Sequence, residues 1–120
     1  MREPGWWSEV MELSTRTTEQ ALVVDLSGKL DTQTSGAAME QLQQHLDSGE
    51  ENLLVNLSGL EFVSSSGLRV ILRAAKQVKA NGGNMKVCGA RGVVKEVLEI
   101  SGFDSLLDLH AEEEQALSAF

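Results

Sequence analysis

LSGLEFVSSSGLRVILRAAKQV, residues 57–78, holds the break around which the chain is organised. An apolar, strand-like run stops at Phe62-Val63. Ser64, Ser65, Ser66 and Gly67 follow, and an apolar pattern of helical period then sets in at Leu68. Serine just ahead of such a pattern marks a helix N-terminus, because its side-chain oxygen accepts a hydrogen bond from an unpaired N–H of the first turn. That end of a helix also carries partial positive charge and suits an anion. Ser-Ser-Ser-Gly ahead of a helix is ordinarily a cap and a turn. One serine suffices for that, and three place additional hydroxyls where a covalently attached phosphate would be accommodated.

Outward from this break, the pattern is that of one α/β domain. Residues 1–8 read as a loose leader and residues 9–120 as a single domain. Partial alternation (Val10, Met11, Leu13, Thr15) predicts a strand over Glu9–Thr17. The polar Thr18-Glu19-Gln20 then turns the chain into a stronger strand, Ala21–Leu26, and a hairpin. Ser27 to Thr32 ends that strand, with Asp31 or Thr32 placed to cap a helix over Thr34–Ser48 that carries Ala38, Leu42 and Leu46 on one face. Gly49 stops it. Asn52–Leu57 is a buried strand, so residues 21–57 form strand, helix, strand, the signature of a parallel crossover. Ser58-Gly59-Leu60-Glu61 reads as a turn. The helix after the serines spans Ser66–Asn81, with Leu68, Ile71, Leu72, Ala75 and Val78 on its core face. A strand Met85–Gly89, a short helix around Val93–Leu98, a last strand Leu106–Leu109 and an acidic helical tail with Ala116, Leu117 and Phe120 turned inward complete the order.

Charge narrows the function. Eighteen acidic residues against ten Lys plus Arg leave a net charge of −8, which argues against nucleic acid and anionic membrane as partners. Four of the ten basic residues, Arg69, Arg73, Lys76 and Lys79, fall on the helix after the serines. They are a solvated face with cations toward the negative end of the dipole, or a docking surface for an acidic partner. The chain has no apolar run long enough to span a bilayer and no signal-like apolar core at its start, so cytoplasm is the default location. Trp6 and Trp7 either pack back on the domain or form a contact surface.

Catalysis finds little support. A serine nucleophile needs a base and an orienting group, and neither His45 nor His110 stands in such a motif. Both histidines read as surface residues, and with the single Cys88, which reads as a small core residue, they make no metal-ligand spacing. Gly82-Gly83 precedes a strand instead of opening a helix, so it is no dinucleotide fingerprint, and no phosphate-loop lysine accompanies the serines. No cofactor is expected.

Gly28-Lys29-Leu30-Asp31 after the second strand, Phe62-Val63-Ser64-Ser65-Ser66-Gly67-Leu68 at the second helix, and Ser101-Gly102-Phe103 near the end occur in this order over almost the whole chain. In this the sequence resembles the bacterial anti-sigma factor antagonists, the small single-domain form of the STAS fold. The resemblance implies a mixed β-sheet of about five strands with helices packed mainly on one side. It also implies a binding protein that engages an anti-sigma factor serine kinase, is released when that kinase phosphorylates it, and is reset by a serine phosphatase. On the family pattern Ser65 matches the phosphoacceptor, Ser66 the following Ser/Thr and Asp31 the aspartate of the neighbouring loop. Ser64, Ser66 and Gly67 flank the site, and Asp31, Arg69 and Arg73 are the expected partner contacts. The family has aspartate where this chain has Ser64, which removes a fixed negative charge beside the site. The alternative that this leaves open is a STAS adaptor that is not phosphorylated, such as a subunit of a membrane transport complex.

Overall fold

Strand alternation divides the apolar residues between two faces of one sheet, and each face collects its own helices. The computed structural model describes residues 11–120. The expected leader, the start of the first strand with Val10, and the tryptophan pair lie outside the described residues. The elements are β1 (Glu12–Thr17), β2 (Leu22–Leu30), α1 (Ser35–Asp47), β3 (Asn52–Val63), α2 (Ser65–Ala80), β4 (Asn84–Cys88), α3 (Gly92–Ile100), β5 (Leu109–His110) and α4 (Glu113–Ser118). They form a five-stranded sheet of order β1-β2-β3-β4-β5. β1 and β2 pair antiparallel as the expected hairpin, and the remaining neighbours pair parallel. The mixed α/β fold expected from the sequence is the fold observed.

On the strands, Leu22, Val24, Leu26, Leu53, Val55, Leu57 and Val87 point to one side. There they meet Ala38, Leu42 and Leu46 of α1, Leu68, Ile71, Ala74 and Val78 of α2, and Val94 and Leu98 of α3. Ala21, Val23, Leu54 and Cys88 point to the other side, where α4 covers them with Ala116. Leu117 and Phe120 pack against this smaller cluster, as the inward reading of the tail requires. Each fully buried Leu, Ile or Val contributes about 1.5–3 kcal/mol, so the three-helix face dominates stability.

Three expectations are corrected. Ser58-Gly59-Leu60-Glu61 is not a turn, since β3 runs unbroken to Val63. Ser27–Leu30 does not end β2, since Ser27 pairs with Gly59, Lys29 with Phe62 and Leu30 with Val63. Polar residues and glycines mimic turns here, but they sit at two register shifts, which realign Leu60 and Val63 with the core. Gly59 is needed at that irregularity, because a Cβ there would stand 3.0 Å from Cβ of Ser27. The last strand is likewise not Leu106–Leu109. Gly102, at φ 76°, opens a 3-10 turn over Phe103–Ser105. Leu106 and Leu107 N–H both donate to the Phe103 carbonyl, each at 3.0 Å, and only Leu109–His110 joins the sheet.

A polar chain crosses the smaller face. Arg16 on β1 donates from Nε and Nη2 to Asp25 on β2, at 2.6 and 2.9 Å. It also reaches Glu113 on α4, at 2.7 Å from Nη2. Asn56 on β3 donates to Asp25 at 2.8 Å, and its own Oδ1 accepts the Ser58 N–H at 3.1 Å. The bonds from Arg16 hold the Asp25 carboxyl below the usual aspartate range. Its stabilising contribution is therefore complete above the unfolded value, near pH 4, and is lost as pH falls through the lower folded value. Arg16→Ala should reduce stability by about 1 kcal/mol at pH 7. Urea midpoints at pH 7 and pH 2 check this, and the difference from wild type should shrink at the lower pH.

Candidate functional site: the seat of α2 on the end of β2

The two motifs singled out in the sequence lie more than thirty residues apart; beyond the end of the β2–β3 ladder, a backbone hydrogen bond ties the serine run to Leu30. Ser64 N–H donates to the Leu30 carbonyl at 2.9 Å. Ser64 is extended (φ −91°, ψ 175°), and its Oγ accepts the Gly67 N–H at 3.2 Å, so the first serine of the three is the cap. Its carbonyl accepts the Leu68 N–H at 2.9 Å and starts the α2 ladder. The helix begins one residue earlier than expected, at Ser65.

Gly67 shows why the motif ends in glycine. A Cβ there would lie 2.5 Å from the Leu30 carbonyl oxygen, 2.8 Å from Leu30 Cγ and 2.9 Å from Val63 Cγ2. The first turn of α2 therefore sits directly on the ends of β2 and β3. With Ser64 used as the cap and Gly67 buried, Ser65 is the exposed hydroxyl, and Ser66 is half-buried. Among the described residues the Ser65 hydroxyl has no hydrogen-bond partner.

One residue beyond Leu30, Asp31 shapes the neighbouring loop. Its Oδ1 accepts the N–H groups of Gln33 and Thr34, at 2.9 and 3.1 Å. The expected role of Asp31 or Thr32 as helix cap is corrected: the residue at the cap position is Thr34, and it makes no side-chain cap bond. Instead its hydroxyl donates to the Lys29 carbonyl and accepts the Asp31 N–H, both at 2.9 Å. Ser35, whose Oγ donates to the Asp31 carbonyl, closes the loop.

Arg69, Arg73, Lys76 and Lys79 are all exposed along α2, and none forms an ion pair with a described residue. Leu72 and Ala75, assigned to the core face by period, are only partly buried, while Val70 and Ala74 lie fully in it.

The STAS domain family model matches residues 12–116. The chain belongs to the STAS domain family. An anti-sigma F factor antagonist of Paenibacillus polymyxa is 35% identical over 98 residues, covering 81% of this chain and 84% of that protein. BtrV of Bordetella bronchiseptica, provisionally named an anti-sigma factor antagonist, is 33% identical over 110 residues, 92% of this chain and 95% of its own. Among solved STAS-like structures, an anti-sigma factor antagonist from Mycobacterium paratuberculosis superposes with a TM-score of 0.84 at 23% identity, covering 92% of this chain and 94% of its own. The Bacillus cell fate determinant SpoIIAA in its phosphorylated form superposes with a TM-score of 0.69 at 21% identity, over 90% of this chain and 98% of its own. These two likenesses carry the fold.

Apart from the serine run and the Asp31 loop, a cleft of about 380 Å³ opens beside the C-terminal ends of β4 and β5, lined among others by Cys88, Arg91, Lys95 and His110. Cys88 is buried, as expected of a core residue, and burial pushes its thiol up to about 11. His110, expected at the surface, is largely covered, with its Nε2 sealed from solvent 3.0 Å from Asp108 Oδ1. The short strand β5 draws it inward. His45 is half-exposed on α1.

The leading sequence cue missed the partner of the cap, the Leu30 carbonyl, because a backbone acceptor leaves no signature in side-chain pattern. Gly67→Ala should destabilise the protein by roughly 1–3 kcal/mol, since the added methyl meets backbone and packed side chains. Gly36→Ala in α1, where a Cβ meets nothing within 4 Å, should be neutral or stabilising by up to about 1 kcal/mol. Thermal unfolding of the two variants measures the opposite signs.

Proposed function

We propose that this protein is an anti-sigma factor antagonist that binds an anti-sigma factor serine kinase by partner switching. It is released when that kinase phosphorylates Ser65, and a serine phosphatase restores it. It acts by binding and is the kinase's substrate, with no catalysis of its own. One observation carries the reading: Ser65 is the exposed, unengaged hydroxyl of the three, at the first position of α2. The names of its relatives support the antagonist role.

In this reading Ser64 and Gly67 hold the phosphoacceptor in place, and Ser66 flanks it on the helix. Asp31, Arg69 and Arg73 contact the partner, with the arginines meeting carboxylates on it. A phosphate adds about −1.5 to −2 charges. Ser65 begins a capped helix whose first turn holds no acidic residue, so the modified domain keeps its fold and the change is felt at the contact surface. Losing 1.4 kcal/mol there already weakens binding about tenfold.

Ser64 favours a second reading. A neutral cap stands where the family motif has a carboxylate, which fits an adaptor that binds constitutively and is not phosphorylated, for instance in a membrane transport complex. No helix among the described residues is long and apolar enough to cross a membrane.

The test pairs the protein with the kinase-type anti-sigma factor of its own genome and ATP, followed by phosphate mapping. Modification confined to Ser65 is expected, with none on Ser65→Ala and at least tenfold weaker binding by Ser65→Asp. An unmodified Ser65 in a lasting complex with a transport protein would favour the adaptor.

A further inference from the structure

One helical turn beyond Ser65 stands a residue that matters for a phosphate there. Arg69 follows Ser65 by four residues on α2. Residues so spaced lie on one face, about 6 Å apart along the axis. Helix side chains lean toward the N-terminus, so a side chain at the later position extends back over the earlier one. Arg69 is exposed and has no ion pair with a described residue. The first turn of α2 offers it no carboxylate, since it holds no acidic residue and the cap is Ser64. Asp31 on the neighbouring loop uses Oδ1 on its own loop N–H groups.

We propose that Arg69 captures the phosphate of Ser65 within the same helix, so that phosphorylation withdraws a docking cation as well as adding an anion. This rests on the reading of Ser65 as phosphoacceptor. The guanidinium is the fitting group, because its planar fork can give two parallel N–H bonds to phosphate oxygens, which an ammonium cannot. Arg73 stands eight residues from Ser65, about 12 Å along the axis, and is out of reach. The two arginines therefore differ in role: both face the partner, and Arg69 alone changes allegiance.

Phosphoserine installed at position 65 by genetic encoding tests the capture without any kinase. Phosphorus NMR then follows the second ionisation of the phosphate in four proteins: Arg69 intact, Arg69→Ala, Arg69→Lys and Arg73→Ala. Arg69 stabilises the dianion, so the Arg69→Ala protein should titrate roughly half a unit higher. Arg69→Lys should fall between, Arg73→Ala should match the intact protein, and 1 M salt should shrink the difference. Lys29, Asp31 and Glu61, the other charged groups at this end of the sheet, are unchanged throughout and contribute equally. Equal titration with and without Arg69, or an Arg73→Ala shift as large as that of Arg69→Ala, overturns the capture. If the capture holds while the kinase leaves natural Ser65 unmodified, the proposed function fails and the geometry stands.

Discussion

The bond from Ser64 N–H to the Leu30 carbonyl, with Gly67 pressed against Leu30 and Val63 beside it, is the contact through which everything at the site is positioned. It joins the end of β2 to the start of α2 and so places the Asp31 loop beside the serines. A side chain at residue 67 would wedge the two apart, and an unpaired carbonyl at Leu30 would cost about 1–3 kcal/mol if buried. The seat is also what separates the three serines. One becomes the cap, and the next is carried out to solvent on the first turn of a helix that is anchored below.

That anchoring is supplied by the core. α2 buries Leu68, Val70, Ile71, Ala74 and Val78 against the larger face of the sheet, which leaves its outer face to Arg69, Arg73, Lys76 and Lys79. With its first turn fixed on the sheet, α2 holds the exposed Ser65 hydroxyl and these cations in set positions. Regulation by charge suits such a surface, because adding an anion alters the potential over a Debye length of about 8–10 Å, a range that includes Arg69 one turn away. On the opposite face, Arg16, Asp25, Asn56 and Glu113 tie four elements together through polar bonds. This face carries the small α4 cluster and contributes less to stability than the three-helix side.

The parts legible in the sequence were those carried by local period. The apolar runs Ala21–Leu26 and Asn52–Leu57, and the helical period after Leu68, are set by residues a few positions apart, and the observed elements follow them. The parts misread were those in which pairing with another element, or the geometry of a turn, overrides residue composition. Ser58-Gly59-Leu60-Glu61 has turn residues, but β2 supplies partners on one side, and the strand continues through them. Leu106–Leu109 has strand residues, but the left-handed Gly102 and the bonds to Phe103 curl most of it. Val70 and Ala74 likewise enter the core because the sheet lies under a broader arc of α2 than a narrow apolar stripe suggests.

By itself the sequence determined that a helix starts at the serine run, that its outer face is basic, and that the chain belongs with α/β proteins. These follow from side-chain chemistry and spacing, which act within a turn or a strand. Only the tertiary structure decided which serine is the cap and which is exposed, because that depends on where a backbone carbonyl thirty-four residues earlier comes to rest. The same carbonyl decides that residue 67 must lack a side chain. Contacts of this kind arise from packing a helix onto a sheet end, and no pattern within either segment encodes the distance between them.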